Sequence, residues 1–395
     1  MKHTVPSRVL VAALGVTSAL VLSIPVMRGQ QPPAQGGGQQ VQQASKVPLA
    51  PEKYLNIQVL KDVPADQLDL AMRFVSAALG VQCINCHVQD QSTGAWAFEK
   101  DDKRSKQTAR EMMQMVAGIN KEFFNGRPTI TCASCHAGHG QPNPRPPLAE
   151  ILTPDQIAAM SQPRPPAPQP GQPPQAQPPL VPVDQVLDKY IEALGGRAAL
   201  EKLTSRVMSG TVSTRAGQSF AFTVEEKAPD RYRETWQTQP APMIRAFDGT
   251  NGWMQSSAGS ADLAGFTLQQ ALRTADLSLP LKLKEKYESL ASRRQTAMID
   301  GKETYVLTGR PSPDVTETLF FEVASGLLVR RAVTTRTPMG PLPEQVDYSD
   351  YRDVGGVKMP FEIKRTSWQF LDTLKIADIK ANAPIDDSRF VKPKG

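Results

Sequence analysis

All four cysteines of this 395-residue chain fall into two copies of one pattern, Cys-x-x-Cys-His. Two thiols at this spacing can form thioethers with the vinyl groups on one edge of a porphyrin, and the adjacent histidine is then held against the iron. The pattern therefore predicts two covalently attached haem c groups. The thioether positions would be Cys83, Cys86, Cys132 and Cys135, and the proximal iron ligands would be His87 and His136.

Zinc sites and thioredoxin-like redox sites also use Cys-x-x-Cys pairs. Zinc ribbons place their two pairs roughly 15–20 residues apart, whereas Cys132 follows Cys83 by 49 residues here. Neither pair opens a helix within a βαβ pattern, as a thioredoxin-like motif would. Haem attachment is therefore the favoured interpretation, and zinc is the leading alternative.

The sixth position of each iron separates an electron carrier from a ligand-binding or peroxidatic centre. Residues 64–80 have the pattern of an amphipathic helix that Gly80 ends. We predict that Met72, eleven residues before Cys83, is the sixth ligand of the first haem. Met72 lies on the apolar stripe of this predicted helix, which we expect to be buried. The stripe consists of Leu68, Met72, Val75 and Leu79.

A second helix is predicted over residues 106–124, before the second motif. Met115 lies on its apolar face, seventeen residues before Cys132, and Met112 competes with it as the iron ligand. Methionines at helical spacing usually fill a core. Because a haem motif follows each helix, we expect Met115 and Met72 to complete two His/Met irons of raised potential. The apolar face carries Met112, Met115, Val116, Ile119 and Phe123, and Met113 points to the other side.

A charged segment at 96–106 separates the two haem motifs. Its cations could pair with haem propionates, and the plainer alternative is a solvated loop. The candidate propionate contacts are Lys103, Arg104 and Lys106. We expect His139, shortly after the second motif, to be a surface histidine rather than a distal ligand.

The composition limits the class of protein that surrounds these motifs. With 40% hydrophobic and 21% charged residues, the chain can bury a large core, and its length suggests two domains. The net charge of +6 is spread along the chain, which argues against a nucleic-acid partner. No Gly-X-Y period and no sustained heptads are present, which excludes collagen and coiled coils.

The first 28 residues are predicted to direct export. Residues 9–26 are apolar and uncharged, with Lys2 and Arg8 before them and Arg28 after them. No small-x-small cleavage site is obvious, so a removed signal peptide and an uncleaved inner-membrane anchor both stay open. The rest of the chain is expected in the periplasm. A Gln/Gly/Pro linker at 29–47 follows.

The order of motifs from about residue 48 to 145 resembles the cytochrome c subunit of photosynthetic reaction centres. The similar phrases are LGVQCINCH, DDKRSK, AREMMQMVAGIN and TCASCHAGHGQP. The resemblance implies that each haem segment consists of a helix with an axial methionine, a turn and the haem motif. It favours Met115 as the sixth ligand of the second haem. It also implies a redox partner, such as a membrane complex. That family's subunit carries four haems, whereas this chain has two motifs.

A proline-rich linker at 148–182 is predicted to separate the dihaem domain, 48–147, from a second domain at 183–395. Ten of the twenty-one residues at 162–182 are proline, which favours an extended polyproline II spacer. The second domain begins with a short helix ended by Gly195 and Gly196.

About nine to eleven period-two strand patterns then predict an antiparallel meander, interrupted by a helical insertion at about 267–287. The phrases SGLLVRR and DYSDYRDVGGVKMPFEI are similar to LolA-type lipoprotein-sorting carriers. That resemblance implies a curved half-barrel that closes over helices and binds acyl chains, and hence a hydrophobic ligand.

The sequence thus predicts a small, mainly α multihaem cytochrome c domain followed by an α+β antiparallel half-barrel domain. It favours a dihaem electron carrier between periplasmic redox partners, and not an enzyme. Two alternatives stay open: a haem peroxidase or gas sensor with one open iron site, and a lipid- or lipoprotein-binding module with an accessory cytochrome.

Overall fold

The computed structural model describes residues 47–90, 96–142, 179–257, 259–367 and 371–393. The predicted export segment, most of the linker at 29–47 and most of the proline-rich linker lie outside these residues. None of the described helices is long and apolar enough to cross a membrane. From Val47 onwards the chain forms one compact unit.

The N-terminal part of this unit is small and helical. Helix α2 ends at Gly80, which adopts a left-handed conformation (φ 64°) and so caps the last turn. Single-turn 3₁₀ helices lie at Ala65–Gln67 and Cys83–Asn85. The elements are α1 (Ala50–Lys53), α2 (Leu68–Leu79), strands β1 (Val88–Gln89) and β2 (Trp96–Ala97), α3 (Arg104–Phe123) and α4 (Cys132–His136).

The C-terminal part is a large antiparallel sheet with a few helices. Helix α5 (Val183–Ala193) precedes the sheet and α6 (Arg197–Glu201) follows α5; the predicted insertion contains α7 (Gly265–Ala275), α8 (Leu279–Lys282) and a 3₁₀ turn at Leu283–Lys286. The strands are β3 (Ser205–Thr214), β4 (Ser219–Lys227), β5 (Arg231–Trp236), β6 (Met243–Phe247), β7 (Gly252–Ser256), β8 (Gly259–Asp262), β9 (Leu290–Ser292), β10 (Ala297–Ile299), β11 (Lys302–Ser312), β12 (Val315–Glu322), β13 (Leu328–Thr337), β14 (Gly340–Val354), β15 (Val357–Thr366) and β16 (Leu371–Ala381).

Fourteen strands form this sheet in the described residues, against nine to eleven predicted. Strands that are neighbours in the chain pair in two runs, β3 to β8 and β10 to β16, and β9 pairs with β11. The two runs join where the last strand, β16, pairs with the first, β3. The prediction of an antiparallel sheet beside a small helical part is confirmed. The pairing of β16 with β3 could not be inferred from turn signals, because the two strands are far apart in sequence.

The core of the sheet part lies between the strands and the helices that cover them. On β12 alternate side chains are buried, as a strand with one covered face requires. Tyr190 of α5 meets Phe321 of β12 edge to face, with ring centroids 5.1 Å apart. Helix α5 ends before Gly195, whose Cα lies so close to Gly356 that a Cβ would be 2.0 Å from the Gly356 carbonyl oxygen.

Among the described residues, the helical part contacts the sheet at the β13–β14 turn and also contacts the start of α7. The turn between β13 and β14 contacts α2, and Met339 in this turn packs on the small apolar cluster of the helical part. Near the start of α7, a Cβ on Gly265 would lie 3.6 Å from the carbonyl oxygen of Asp66. The two parts therefore touch, and the exact domain boundaries in the linker stay a prediction.

Candidate cofactor-attachment site

The first cysteine motif forms a tight turn immediately after α2. The backbone N–H groups of Cys86 and His87 donate to the Cys83 carbonyl oxygen at 3.2 and 2.9 Å. Cys83 is exposed and Cys86 half-buried, and both are free thiols. The turn brings the two cysteines and the histidine into one short segment with thiols that a reagent can reach.

The His87 ring is partly enclosed by protein. Its Nδ1 is buried without a hydrogen-bond partner, and the ring meets Phe98 edge to face at 5.1 Å. Burial, followed by the charge of Lys106, lowers the pKa of His87, although a hydrogen bond to the Phe98 carbonyl opposes the shift. The imidazole is therefore favoured in its neutral form, which is the form that ligates metal ions.

The second motif forms helix α4, with Thr131 before its first turn. The Thr131 backbone N–H donates to Ser134 Oγ at 3.1 Å, which fixes the start of the helix. Cys132 is buried and Cys135 is exposed, and neither is in a disulfide. Burial raises the pKa of the Cys132 thiol.

His136 is oriented by the backbone that follows it. Its Nδ1 donates to the His139 carbonyl oxygen at 3.0 Å. Metal-ligating histidines generally donate their second ring nitrogen in this way, which fixes the tautomer and leaves Nε2 for the metal. The sequence assigned no role to the backbone of His139, because a carbonyl oxygen leaves no signal in residue types.

The two motifs are held together at the C-terminal end of α2. The Gly138 backbone N–H, just after the second motif, donates to the Ala78 carbonyl oxygen at 2.9 Å. A Cβ on Gly80, just before the first motif, would lie 2.0 Å from the Gly138 carbonyl oxygen. The segments that carry the motifs are 49 residues apart in sequence, and this close backbone contact joins them.

Met72 does not lie in the fully buried face of α2. The predicted stripe is rotated: Leu68, Met72 and Leu79 are half-buried, and only Val75 of the four is buried. The cause is the contact with the sheet, which draws Phe74 into the apolar cluster. The thioether of Met72 is left partly accessible. The residues that α2 buries are Leu70, Ala71, Phe74, Val75, Ser76 and Ala78.

Helix α3 buries one side chain every two turns, Lys106, Met113 and Asn120, and leaves its apolar face open. Asn120 fixes that orientation, because its Nδ2 donates to the Ile130 carbonyl at 2.7 Å and its Oδ1 accepts from the Ile130 N–H at 2.9 Å. Met112 is 37% exposed and Met115 is 46% exposed. Both candidate ligands are thus accessible to a group outside the helix.

Aromatic side chains beside His87 add to this open apolar surface. Trp96 and Phe98 stack with ring centroids 5.2 Å apart and planes 4° from parallel. Phe98 is 54% exposed. A flat apolar surface beside an unpartnered imidazole nitrogen fits a porphyrin, whose faces are flat and apolar.

The three cations proposed as propionate contacts differ in what they bind. Lys106 is buried, and its Nζ donates to the carbonyls of Phe98 and Lys100 at 2.8 and 2.6 Å and pairs with Asp101 Oδ1 at 2.8 Å. These contacts occupy its three donors, so Lys106 does not fit a propionate contact in this geometry. Lys103 donates to the Ile84 carbonyl, and Arg104 is exposed.

Asp101 organises the charged segment around Lys106. Its carboxylate also accepts from Arg110 at 2.9 Å. Hydrogen bonds from Arg110 and Lys106 hold the pKa of Asp101 well below its ordinary value. Ion pairs and hydrogen bonds therefore hold the segment in place around His87, while six of the eleven residues at 96–106 are exposed to solvent.

No three His, Cys, Asp or Glu side chains converge on a metal-ion site in the described ranges. The second domain contributes a cavity of about 590 Å³ between the sheet and its covering helices. It has both apolar walls and charged groups. Among its lining residues are Val224, Met208, Leu319, Met359, Arg206, Arg331 and Arg365.

Comparison with known proteins supports the motif assignment. Residues 28–163 match the family model of the photosynthetic reaction centre cytochrome C subunit. The photosynthetic reaction center cytochrome c subunit of Thermochromatium tepidum is 32% identical over 111 residues, which are 27% of this chain and 25% of that protein. Cytochrome c-554 of Chloroflexus aurantiacus is 34% identical over 88 residues, 21% of this chain and 20% of that protein. The chain thus spans about a quarter of the length of these relatives, and the resemblance inferred from the motifs is confirmed.

Solved structures similar to the chain have low sequence identity. A DUF1329 family protein from Desulfovibrio piger has a TM-score of 0.40 and 9% identity, and the match covers 53% of this chain and 97% of that one. A LolA superfamily protein from Nitrosomonas europaea has a TM-score of 0.37 and 13% identity, with 54% and 98% covered.

Proposed function

We propose that the chain is a dihaem c-type cytochrome that carries electrons between redox partners in the periplasm. The two Cys-x-x-Cys-His motifs and the match to an electron-transfer cytochrome family support this function. Haem c supplies a reversible one-electron iron couple when it is bound. Cys83, Cys86, Cys132 and Cys135 hold the two groups covalently, and no bond chemistry on a substrate is required.

The observation that carries the proposal is the state of the two proximal histidines. His136 is oriented through Nδ1 by the His139 carbonyl, and His87 keeps a buried ring nitrogen without a partner. Burial and the charge of Lys106 also lower the pKa of His87, which favours the neutral imidazole that ligates a metal ion. Met72 and Met115 are the proposed sixth ligands, since each is accessible on the helix before its motif.

The surrounding residues have supporting roles. Trp96 and Phe98 would cover one face of a haem at the first site. Lys103 and Arg104 remain the candidate propionate contacts, and their charge would raise the potential.

Haem quantification tests the proposal. Pyridine haemochrome analysis of the exported protein is expected to give two haems per chain. Cys135→Ala should weaken only the second attachment, whereas Ala133→Ser, at an exposed position in the same turn, should keep both haems. One haem or none in the wild-type protein would contradict the dihaem assignment.

Carbon monoxide separates the electron carrier from the peroxidase or gas-sensor alternative. Two His/Met irons have no open position, so the reduced wild-type protein should bind carbon monoxide slowly. Met115→Ala and Met72→Ala should each open one iron and make binding fast at one haem. Rapid binding by the wild-type protein would instead support the alternative with an open site.

We further propose a membrane complex as redox partner, because a relative is by name a reaction-center subunit. The export signal predicted at 1–28 supports a periplasmic location, with or without an inner-membrane anchor. Fractionation followed by an alkaline wash distinguishes the two, since only an anchored chain stays with the membrane.

The cavity in the sheet favours a second function, the binding of a hydrophobic ligand. Its volume of about 590 Å³ lies within the range of small-molecule sites. Three arginines that line it are each paired with a carboxylate: Arg206 with Glu226, Arg331 with Glu317, and Arg365 with Asp372. These three arginines therefore do not require an anionic ligand, and the apolar walls remain to contact a hydrophobic one.

Uptake of a fluorescent fatty acid by delipidated protein tests this second function. Val224 lines the cavity, so Val224→Phe should reduce uptake several-fold. Val391→Phe adds the same bulk at an exposed position and should leave uptake unchanged. No uptake by the wild-type protein would rule out this ligand class.

A further inference from the structure

The turn between β13 and β14 is the part of the sheet that reaches into the helical part. Thr337 and Gly340 form the last pair of the two strands, and Pro338 and Met339 are the two turn residues between them. Met339 is half-buried, although it lies at the tip of a hairpin where side chains are usually exposed. Something outside the hairpin therefore covers it.

One side chain, that of Thr337, closes the turn with hydrogen bonds. Thr337 Oγ1 accepts from the backbone N–H groups of Met339 and Gly340, each at 3.1 Å. The same hydroxyl donates to the Gly340 carbonyl oxygen at 2.7 Å. A buried threonine thus fixes where the Met339 side chain emerges.

The tip fits closely against the elements that carry the second motif. A Cβ on Gly340 would lie 2.6 Å from Phe74 Cζ and 3.1 Å from Thr131 Cγ2. Phe74 belongs to α2, and Thr131 directly precedes Cys132. With a φ of 146° as well, this position accepts glycine and excludes larger residues.

Met339 packs on the apolar cluster that contains Cys132. A thioether would place the porphyrin edge one covalent bond from the Cys132 sulfur, and hence against the residues of that cluster. The cluster consists of Phe74, Val75, Ala78, Met113 and Cys132, with Met72, Leu79, Val59, Leu60 and Met339 packed against it.

We propose that the turn Thr337–Gly340 of the sheet forms one wall of the second haem site, with Met339 in contact with the porphyrin edge. This rests on the proposed function, because it requires a haem at Cys132 and Cys135. The second haem site is then built from both parts of the chain. The sheet, which carries no haem motif of its own, sets how much water reaches that haem.

Methionine methyl signals test this contact directly. In protein labelled with ¹³C-methyl methionine, a methyl group beside a haem changes its chemical shift between the ferric and ferrous states. The signal that disappears in Met339→Ala should show such a change. Met298 on β10 is 65% exposed, and the signal lost in Met298→Ala should not move.

The potential gives a second readout. Met339→Gln brings a polar group into the wall, which favours the ferric state and should lower the potential of one haem while the other is unchanged. Met298→Gln should change neither. Pyridine haemochrome analysis separates the two proposals: fewer than two haems in the wild type refutes the dihaem function. If the wild type has two haems but the Met339 methyl signal does not shift between the two states and Met339→Gln leaves both potentials unchanged, the turn does not form a wall of the second haem site.

Discussion

At the residue scale, the candidate site depends on backbone as much as on side chains. Cysteines and histidines can be identified from sequence because their spacing encodes the chemistry. The His139 carbonyl that orients His136 and the Gly138 carbonyl that meets Gly80 cannot, because neither depends on a residue type with a chemical signature. The cofactor class was therefore predictable, and the contact that joins the two motifs was not.

Gly80 provides the test of that joining contact. In Gly80→Ala the new methyl group would clash with the Gly138 carbonyl, at a position where φ is +64°. Left-handed backbone costs roughly 1–2 kcal/mol for alanine, and overpacking adds about 1–3 kcal/mol. We expect a loss of several kcal/mol in the free energy of unfolding, measured in urea.

Gly118 in α3 is the matched control. No atom lies within 4 Å of a Cβ at this position. Gly118→Ala should stabilise the protein by up to about 1 kcal/mol, because alanine is the better helix former. Equal stability of the two variants would show that the Gly80–Gly138 contact does not matter.

At the element scale, positions were easier to predict than orientations. The pattern at 106–124 predicts the helix observed at Arg104–Phe123, since apolar periodicity reports length. Which face is buried depends on partners far away in sequence: Asn120 binds Ile130, and α2 turns Phe74 towards Gly340. The rotation of the α2 stripe follows from the same long-range contacts.

The C-terminal segment shows how a charged contact holds an element in place. Arg389, in the 3₁₀ turn Asp387–Arg389, donates to Glu225 Oε2 at 2.8 Å, and Arg233 donates to the same oxygen at 2.9 Å. Burial alone would raise the pKa of Glu225, but the hydrogen bonds from Arg389 and Arg233 outweigh it, and the pKa is lowered. The carboxylate is therefore favoured in its charged form in the folded protein.

Stability should depend on pH through Glu225. Because its pKa is lower when folded, its contribution is present above the ordinary value of 4.5 and is lost as the pH falls below it. Glu225→Gln should cost about 1–3 kcal/mol at neutral pH and flatten the acid side of the urea-midpoint profile. Exposed Glu201→Gln should leave that profile as in the wild type, and a wild-type slope in Glu225→Gln would refute the role.

At the scale of the whole molecule, the chain joins a cytochrome-like helical part to a sheet that fills most of its length. The sequence suggests two separate domains because a proline-rich stretch lies between them. The contacts of the β13–β14 turn with Phe74 and Thr131 connect the parts elsewhere, through residues more than 200 positions apart. Composition reports a linker, but it carries no signal for a docking contact.

The last prediction concerns cooperativity between the parts. Close packing at Gly340 should make them unfold together, so Soret circular dichroism of the helical part and far-ultraviolet circular dichroism of the sheet should show coincident transitions. Gly340→Ala should separate them, because the new Cβ would meet the Phe74 ring at 2.6 Å.

Gly301 is the control: it also has positive φ, 79°, but no atom lies within 4 Å of its Cβ position. Gly301→Ala should therefore lower stability without separating the two transitions. Separate transitions in the wild type would mean that the turn touches the helical part without coupling it to the sheet.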